Sequence, residues 1–204
     1  MDDPLVVLLL ILMGYLCGSL PTSYIIGRIF FGLDLREHGS GNVGATNALR
    51  VLGKKAGMAV LVIDMAKGSL SVLLARYFIQ SKNVDDPSVL LVLVAVSAML
   101  GHVYTLWLRF AGGKGVATSA GVLLALSPLA LFIDLILFSS VVALSRYVSL
   151  GSILAALFIT PLVAWEAGQW TDPRVALALI AAFCVILRHR SNLSRLLSGE
   201  ENKI

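Results

Sequence analysis

The segment VATSAGVLLALSPLALFIDLILFSSVVAL, residues 116–144, decides how this chain is organised. Its 29 residues carry one acidic side chain, Asp134, and no base. A helix rises 1.5 Å per residue and needs about 20 residues to cross a hydrocarbon core of about 30 Å, so the run is long for one crossing and short for two. Ser127-Pro128 stands near its middle, where proline breaks one helix and suits the first turn of the next. The reading is two short spans. Apolar runs at 5–27, 57–79, 88–108, 150–165 and 175–187 supply five more, for about seven transmembrane helices in an all-α polytopic membrane protein.

Composition agrees. Of the 204 residues 58% are hydrophobic and 14% charged, with a mean hydropathy of +0.89, far from the near-even apolar share of soluble domains. Seven spans and short loops use up the chain, so residues 1–204 read as a single integral membrane domain.

Charge tests the count. With seven spans, one face carries Arg28, Arg36, Arg50, Lys54, Lys55, Arg109, Lys114, Arg146, Arg188, Arg190, Arg195 and Lys203. The opposite loops carry Lys82 and Arg174 beside Asp2, Asp3, Asp85, Asp86, Glu166 and Asp172. With six spans Arg146 and the basic tail would part company. The positive-inside rule therefore puts the N-terminus outside and the C-terminus in the cytoplasm of a bacterial inner membrane. The start lacks a basic n-region and reads as a retained span. Topology also accounts for the net charge of +4, so nucleic acid is not an expected partner. Cys17 and Cys184 fall inside spans without metal-site spacing and read as packing residues; no metal or cofactor is expected.

Three polar loops lie on the basic face. The first is Gly39-Ser40-Gly41-Asn42-Val43-Gly44-Ala45-Thr46-Asn47, followed by Arg50; the second is Gly112-Gly113-Lys114-Gly115; the third is His189-Arg190-Ser191-Asn192. Glycine lets a ligand approach the backbone, hydroxyls and amides donate hydrogen bonds, and Arg50 and Lys114 supply fixed positive charge, which together suit a phosphate-bearing anion. A plain turn with Thr46 or Asn47 capping the helix that contains Arg50 explains part of the first loop, and a capped helix start is itself an anion site. The second loop is not a nucleotide-binding P-loop, since Leu108 stands where the first glycine belongs and Gly115 replaces Ser or Thr. Lys114 there is either a snorkelling interfacial lysine or a phosphate partner. His189 and Asn192, three apart, share a face if one helix continues through them, as an interfacial anchor or as base and orienter. Asp64 and Lys67 sit inside a span, where mutual neutralisation suffices as a reason. His102 and Asp134 are lone polar groups expected to bond between helices, and Ser145, Arg146 and Ser149 form a fourth polar turn.

Taken together, Gly18-Ser19-Leu20-Pro21-Thr22-Ser23-Tyr24, the first loop with Arg50, Asp64-Met65-Ala66-Lys67-Gly68, Gly101-His102, Phe110-Ala111-Gly112-Gly113-Lys114-Gly115-Val116-Ala117-Thr118, Tyr147-Val148-Ser149-Leu150 and the third loop resemble the bacterial acyl-phosphate:glycerol-3-phosphate acyltransferases, the PlsY family. The likeness runs over nearly the whole chain, with one departure: Thr105 stands where that family is expected to have proline. The resemblance implies transfer of a fatty acyl group from acyl phosphate to the 1-hydroxyl of glycerol-3-phosphate, giving lysophosphatidic acid and inorganic phosphate. It further implies Ser40, Lys114 and His189 in catalysis, with Ser40, Arg50, Lys114, His189 and Asn192 on glycerol-3-phosphate. Gly41, Asn42, Gly44, Thr46, Asn47, Gly112, Gly113, Gly115 and Ser149 fall to substrate binding, the acyl-phosphate head among them. An acyl phosphate is already activated, so direct attack needs no acyl-enzyme; the base is His189 or the leaving phosphate. The partners are these substrates and the bilayer, with oligomeric state open. Two other classes use the same anion pocket: a transporter, which needs polar groups at the midplane, and a non-catalytic lipid-binding protein, which needs only the basic rim.

Overall fold

The computed structural model describes residues 4–80 and 86–204. Asp2, Asp3, Lys82 and Asp85, used above to orient the chain, lie outside the described residues. All regular structure among the described residues is helical. The order is α1 (Pro4–Ser19), α2 (Thr22–Phe31), α3 (Ala45–Leu52), α4 (Lys54–Gln80), α5 (Ser88–Val103), a 3-10 turn (Leu106–Leu108), α6 (Val116–Leu126), α7 (Pro128–Ser145), α8 (Val148–Ala167), α9 (Pro173–Arg188) and α10 (Arg190–Leu197).

Proline and glycine place the breaks. The run 5–27 is not one helix: α1 stops at Ser19 and α2 begins at Thr22, because Pro21 lacks the N–H that a continuing helix needs. The break at Ser127-Pro128 is where the sequence puts it, with Pro128 opening α7. Glu166 then donates nothing but accepts from the Ala130 amide at 2.6 Å, so a carboxylate satisfies the positive start of α7. Asp172 does the same for α9 through the Arg174 amide at 2.8 Å. α6 has only 11 residues, about 17 Å of helix, roughly half the hydrocarbon thickness. Five helical segments among the described residues are long and apolar enough to cross a membrane, six if α9 and α10 count as one bent span.

The chain divides into two compact units, Met1–Ala125 and Leu126–Ile204. In the first, α1 lies against α5 along a seam of small residues. A Cβ on Gly18 would collide with the Ala98 carbonyl, and one on Gly101 with the Tyr15 carbonyl. Such close backbone approach is how helices associate where lipid removes the hydrophobic drive. α4 and α6 approach in the same way, Gly68 against Thr118 and Gly121 against Met65. Leu35, Ala48 and Val60 form a buried cluster that seats α3 on α4. In the second unit α8 packs between α7 and α9. There Asp134 is buried, and its Oδ1 has no hydrogen-bond partner, so that oxygen does not make the expected bond between helices.

Candidate active site

In the first unit the chain leaves α2 through Gly32, in the left-handed region at φ 66°, and is locked at Asp34. This carboxylate is 2% exposed and accepts from Arg36 Nη2 at 2.7 Å and Arg28 Nη2 at 2.9 Å. The Arg36 hydrogen bond outweighs burial and holds the carboxyl far below the usual carboxylate range. Asn47 closes the loop. Its Oδ1 accepts from the Ser40 amide at 2.9 Å, and its Nδ2 donates to the Leu35 and His38 carbonyls at 3.1 and 3.0 Å. Asn47 is 1% exposed, so its amide shapes the loop from within and does not cap α3. No side chain caps α3, and the first-turn amides of a helix have no partner inside it. The loop thus presents exposed Ser40, half-buried Asn42 and Thr46, the start of α3 and half-buried Arg50 one turn on.

Four glycines taken from sequence as a backbone cradle use their N–H groups on the chain itself. Gly41 donates to His38, Gly44 to Asn42, Gly112 to Val103 and Gly113 to His102. Backbone amides oblige one another in this way wherever a loop is built tightly. Their glycine character serves close packing: a Cβ on Gly113 would collide with His102 Nε2 and stand 2.9 Å from the Val43 carbonyl. The second loop is therefore pressed against the first at Gly113, with Lys114 next in the chain and half-buried. Gly115, at φ 86°, turns the chain into α6 in a conformation that a side chain resists. Arg109 and Phe110, at φ 53° and 62°, are non-glycine residues in the same left-handed region just before the loop. Thr105 has φ −66°, a value proline shares, and its hydroxyl bonds to Ser19, so the departure from the resemblance leaves the bend intact.

Beneath the two loops lies a buried polar cluster. Asp64 Oδ1 accepts from Thr22 Oγ1 at 2.9 Å and pairs with Lys67 Nζ at 2.8 Å; Lys67 also donates to the Leu20 carbonyl at 2.8 Å. The neutralisation read from sequence is present, and Thr22 joins it through the break at Pro21.

In the second unit the last span ends at Arg188 and the chain turns by 57° into α10, so His189 and Asn192 are not on one continuous helix. His189 is 4% exposed, with Nδ1 2.8 Å from the Val185 carbonyl. A carbonyl only accepts, so Nδ1 carries a proton, and in the neutral form of the ring the lone pair sits on Nε2. Glu201, which sequence reading passed over, gathers Ser149 and Asn192: its Oε1 accepts from Ser149 Oγ at 2.9 Å and Asn192 Nδ2 at 2.7 Å, and its Oε2 from Arg195 Nε at 2.8 Å. Burial alone raises the Glu201 carboxyl, but the bonds from Asn192, Ser149 and Arg195 together prevail and lower it.

Against known proteins, the family model for glycerol-3-phosphate acyltransferase matches residues 8–199. The chain belongs to the glycerol-3-phosphate acyltransferase family. Glycerol-3-phosphate acyltransferase 2 of Moorella thermoacetica is 47% identical over 197 residues, covering 97% of each chain. The Anaeromyxobacter enzyme is 40% identical over 204 residues, covering 100% of this chain and 99% of its own. The crystal structure of PlsY (YgiH), an integral membrane glycerol 3-phosphate acyltransferase, in its glycerol 3-phosphate form is similar with a TM-score of 0.87 and 37% identity, over 97% of this chain and 95% of that one. Its lysophosphatidic acid form gives 0.83 and 36% over the same shares. This glycerol-3-phosphate acyltransferase is an integral membrane enzyme of phospholipid synthesis. The transporter and lipid-binding alternatives fall.

Proposed function

We propose that the enzyme takes its acyl group from an acyl phosphate and passes it directly to the 1-hydroxyl of glycerol-3-phosphate. The supporting observation is the contact at Gly113, which sets Lys114 beside the Ser40–Arg50 region of the first unit, so that two loops with fixed cations serve one anion-handling surface. In this reading Arg50 and Lys114, with Ser40, neutralise and orient substrate phosphate in the first unit, while Thr46, Asn42 and the amides opening α3 take the other phosphate. Asn47 and the four bonded glycines build that surface from behind. In the second unit His189 and Asn192 act on glycerol-3-phosphate, and Ser149 on the acyl-phosphate head.

The atoms balance without a protein nucleophile. The 1-hydroxyl oxygen attacks the acyl carbonyl, the acyl–phosphate bond breaks, and phosphate leaves with the electron pair. The hydroxyl proton passes to His189 Nε2 or to the leaving phosphate. Ser149 already donates to a carboxylate, which suits a positioning hydroxyl better than a nucleophile. Catalysis then rests on proximity and charge stabilisation.

The reading further places the chain in the bacterial inner membrane as one catalytic domain with seven crossings, N-terminus outside and active face cytoplasmic. α6 is then a short crossing completed by the loop at 112–115. The test uses purified enzyme in detergent. Phosphate release should require acyl phosphate and glycerol-3-phosphate together, and the intact mass should be unchanged after acyl phosphate alone. A mass gain of one acyl group, discharged by glycerol-3-phosphate, would overturn direct transfer.

A further inference from the structure

The Asp64 cluster is a charged group held inside a long apolar helix, and such groups are costly enough to point to function. Mutual neutralisation accounts for Asp64 and Lys67 alone, yet the same carboxylate oxygen gathers more than the lysine. Thr22 donates to it at 2.9 Å, and His102 Nδ1 stands 3.8 Å away, beyond a direct hydrogen bond. A cavity of about 10 Å³, the room one water needs, lies among Thr22, Asp64, Lys67 and His102 and reaches Gly112 and Gly113. The opposite edge of the His102 ring, at Nε2, is close enough to Gly113 that a Cβ there would collide with it, and the His102 carbonyl accepts the Gly113 amide at 3.2 Å. The ring therefore spans from the carboxylate to the glycine that precedes Lys114.

We propose that Asp64 is a positioning residue of this acyltransferase: with Thr22 and Lys67 it fixes the His102 ring, and the ring fixes the loop at 112–115 so that Lys114 meets substrate phosphate. The proposal rests on the reading that this loop binds substrate. It assigns a membrane-embedded carboxylate to the setting of a surface loop, without contact with either substrate. A misplacement of a catalytic group by about 1 Å can lower turnover efficiency about a hundredfold, so the expected effect is large for a residue that touches no reacting atom.

The test keeps loop geometry and substrate binding apart. Asp64→Asn leaves Lys67 buried beside a neutral partner and could unfold the protein; Asp64→Leu with Lys67→Met removes both charges at similar volume. Each is made in the full chain with Cys17→Ala and Cys184→Ala, with a reporter at exposed Ala111 as Ala111→Cys. The reporter's thiol-labelling rate without substrate should change several-fold in the folded double variant, and KM for glycerol-3-phosphate should rise about tenfold or more, with kcat falling less than KM rises. An unchanged labelling rate in the folded double variant would overturn the proposal whatever happens to activity. So would a lower kcat at constant KM, which reports only a loss of active molecules. A changed labelling rate with both constants unmoved would uphold the positioning and overturn the loop's assignment to substrate.

Discussion

At the scale of single residues, charge and fixed geometry divide the work. Lys114, half-buried, brings a full charge to a phosphate in the proposed site. Lys114→Ala should abolish transfer while melting in detergent stays near that of the parent, read by phosphate release and thermal unfolding. Arg50→Lys should also be severe, since lysine cannot reproduce the planar fork that grips two phosphate oxygens. Near-parental turnover by Lys114→Ala at saturating substrate would move the site elsewhere. Glu201 belongs to a different kind of residue, one that holds donors in place. Its folded pKa is lowered from the ordinary 4.5, so the stability it lends is present above that value and is lost as pH falls through the folded one. Proteolysis of the tail should accordingly be flat from pH 7 to about 5.5 and rise below about 4. In Glu201→Gln the tail should be cut faster at neutral pH and lose most of this acid dependence, for a deficit of about 1–3 kcal/mol. The polar loops were legible in the sequence because hydroxyls, amides and cations cluster there against an apolar background. Glu201 was not, because one of two adjacent glutamates in a polar tail carries no periodicity and its partners Ser149 and Asn192 meet it only through folding. Asn47 was legible as important and illegible as to why: composition shows an amide, whereas only the loop's path shows the three atoms it binds.

At the scale of elements, backbone proximity does what side-chain burial does in water-soluble proteins. The α1–α5 seam leaves no room for a Cβ at Gly18 or Gly101, since the atoms met are backbone carbonyls that cannot swing aside. Gly101→Val should therefore lower the unfolding temperature and the folded yield, by about 1–3 kcal/mol or more, with activity per folded molecule falling too because His102 follows directly in the chain. A variant with parental stability would show that α1 and α5 can separate without harm. Helix existence was readable from apolar runs, and so was the break at Pro128. The break at Pro21 was masked by length, since the run 5–27 already suits one crossing and called for no second helix, whereas α6 spans Val116–Leu126 and ends where Ser127-Pro128 puts it. The bend at His189 was silent for another reason: Arg188 to Asn192 is polar but holds no proline or glycine to mark a turn.

At the scale of the whole molecule, the charge bias makes a prediction that the helices alone do not. With Cys17→Ala and Cys184→Ala as background, a cysteine at exposed Thr171 should react with a membrane-impermeant thiol reagent in intact cells, and one at exposed Ser198 only after the inner membrane is opened. Labelling of Ser198→Cys in intact cells would reverse the orientation. The order of the chain matters as well. α1 packs chiefly on α5, with α4 beside it, and α5 is complete only after the 84 residues from Leu20 to Val103 have been made. At about 5–20 residues per second this leaves α1 waiting roughly 4 to 17 s in the bilayer with its glycine seam open. Its outward Leu5, Leu8, Leu9, Leu12 and Leu16 suit that wait, since they hold the helix in lipid without any protein neighbour. The seam that later fastens the first unit is thus, during synthesis, an unclaimed surface, open to mispairing with other newly inserted helices until α5 emerges, by which time the loop at 39–47 has been made and the loop at 112–115 has not.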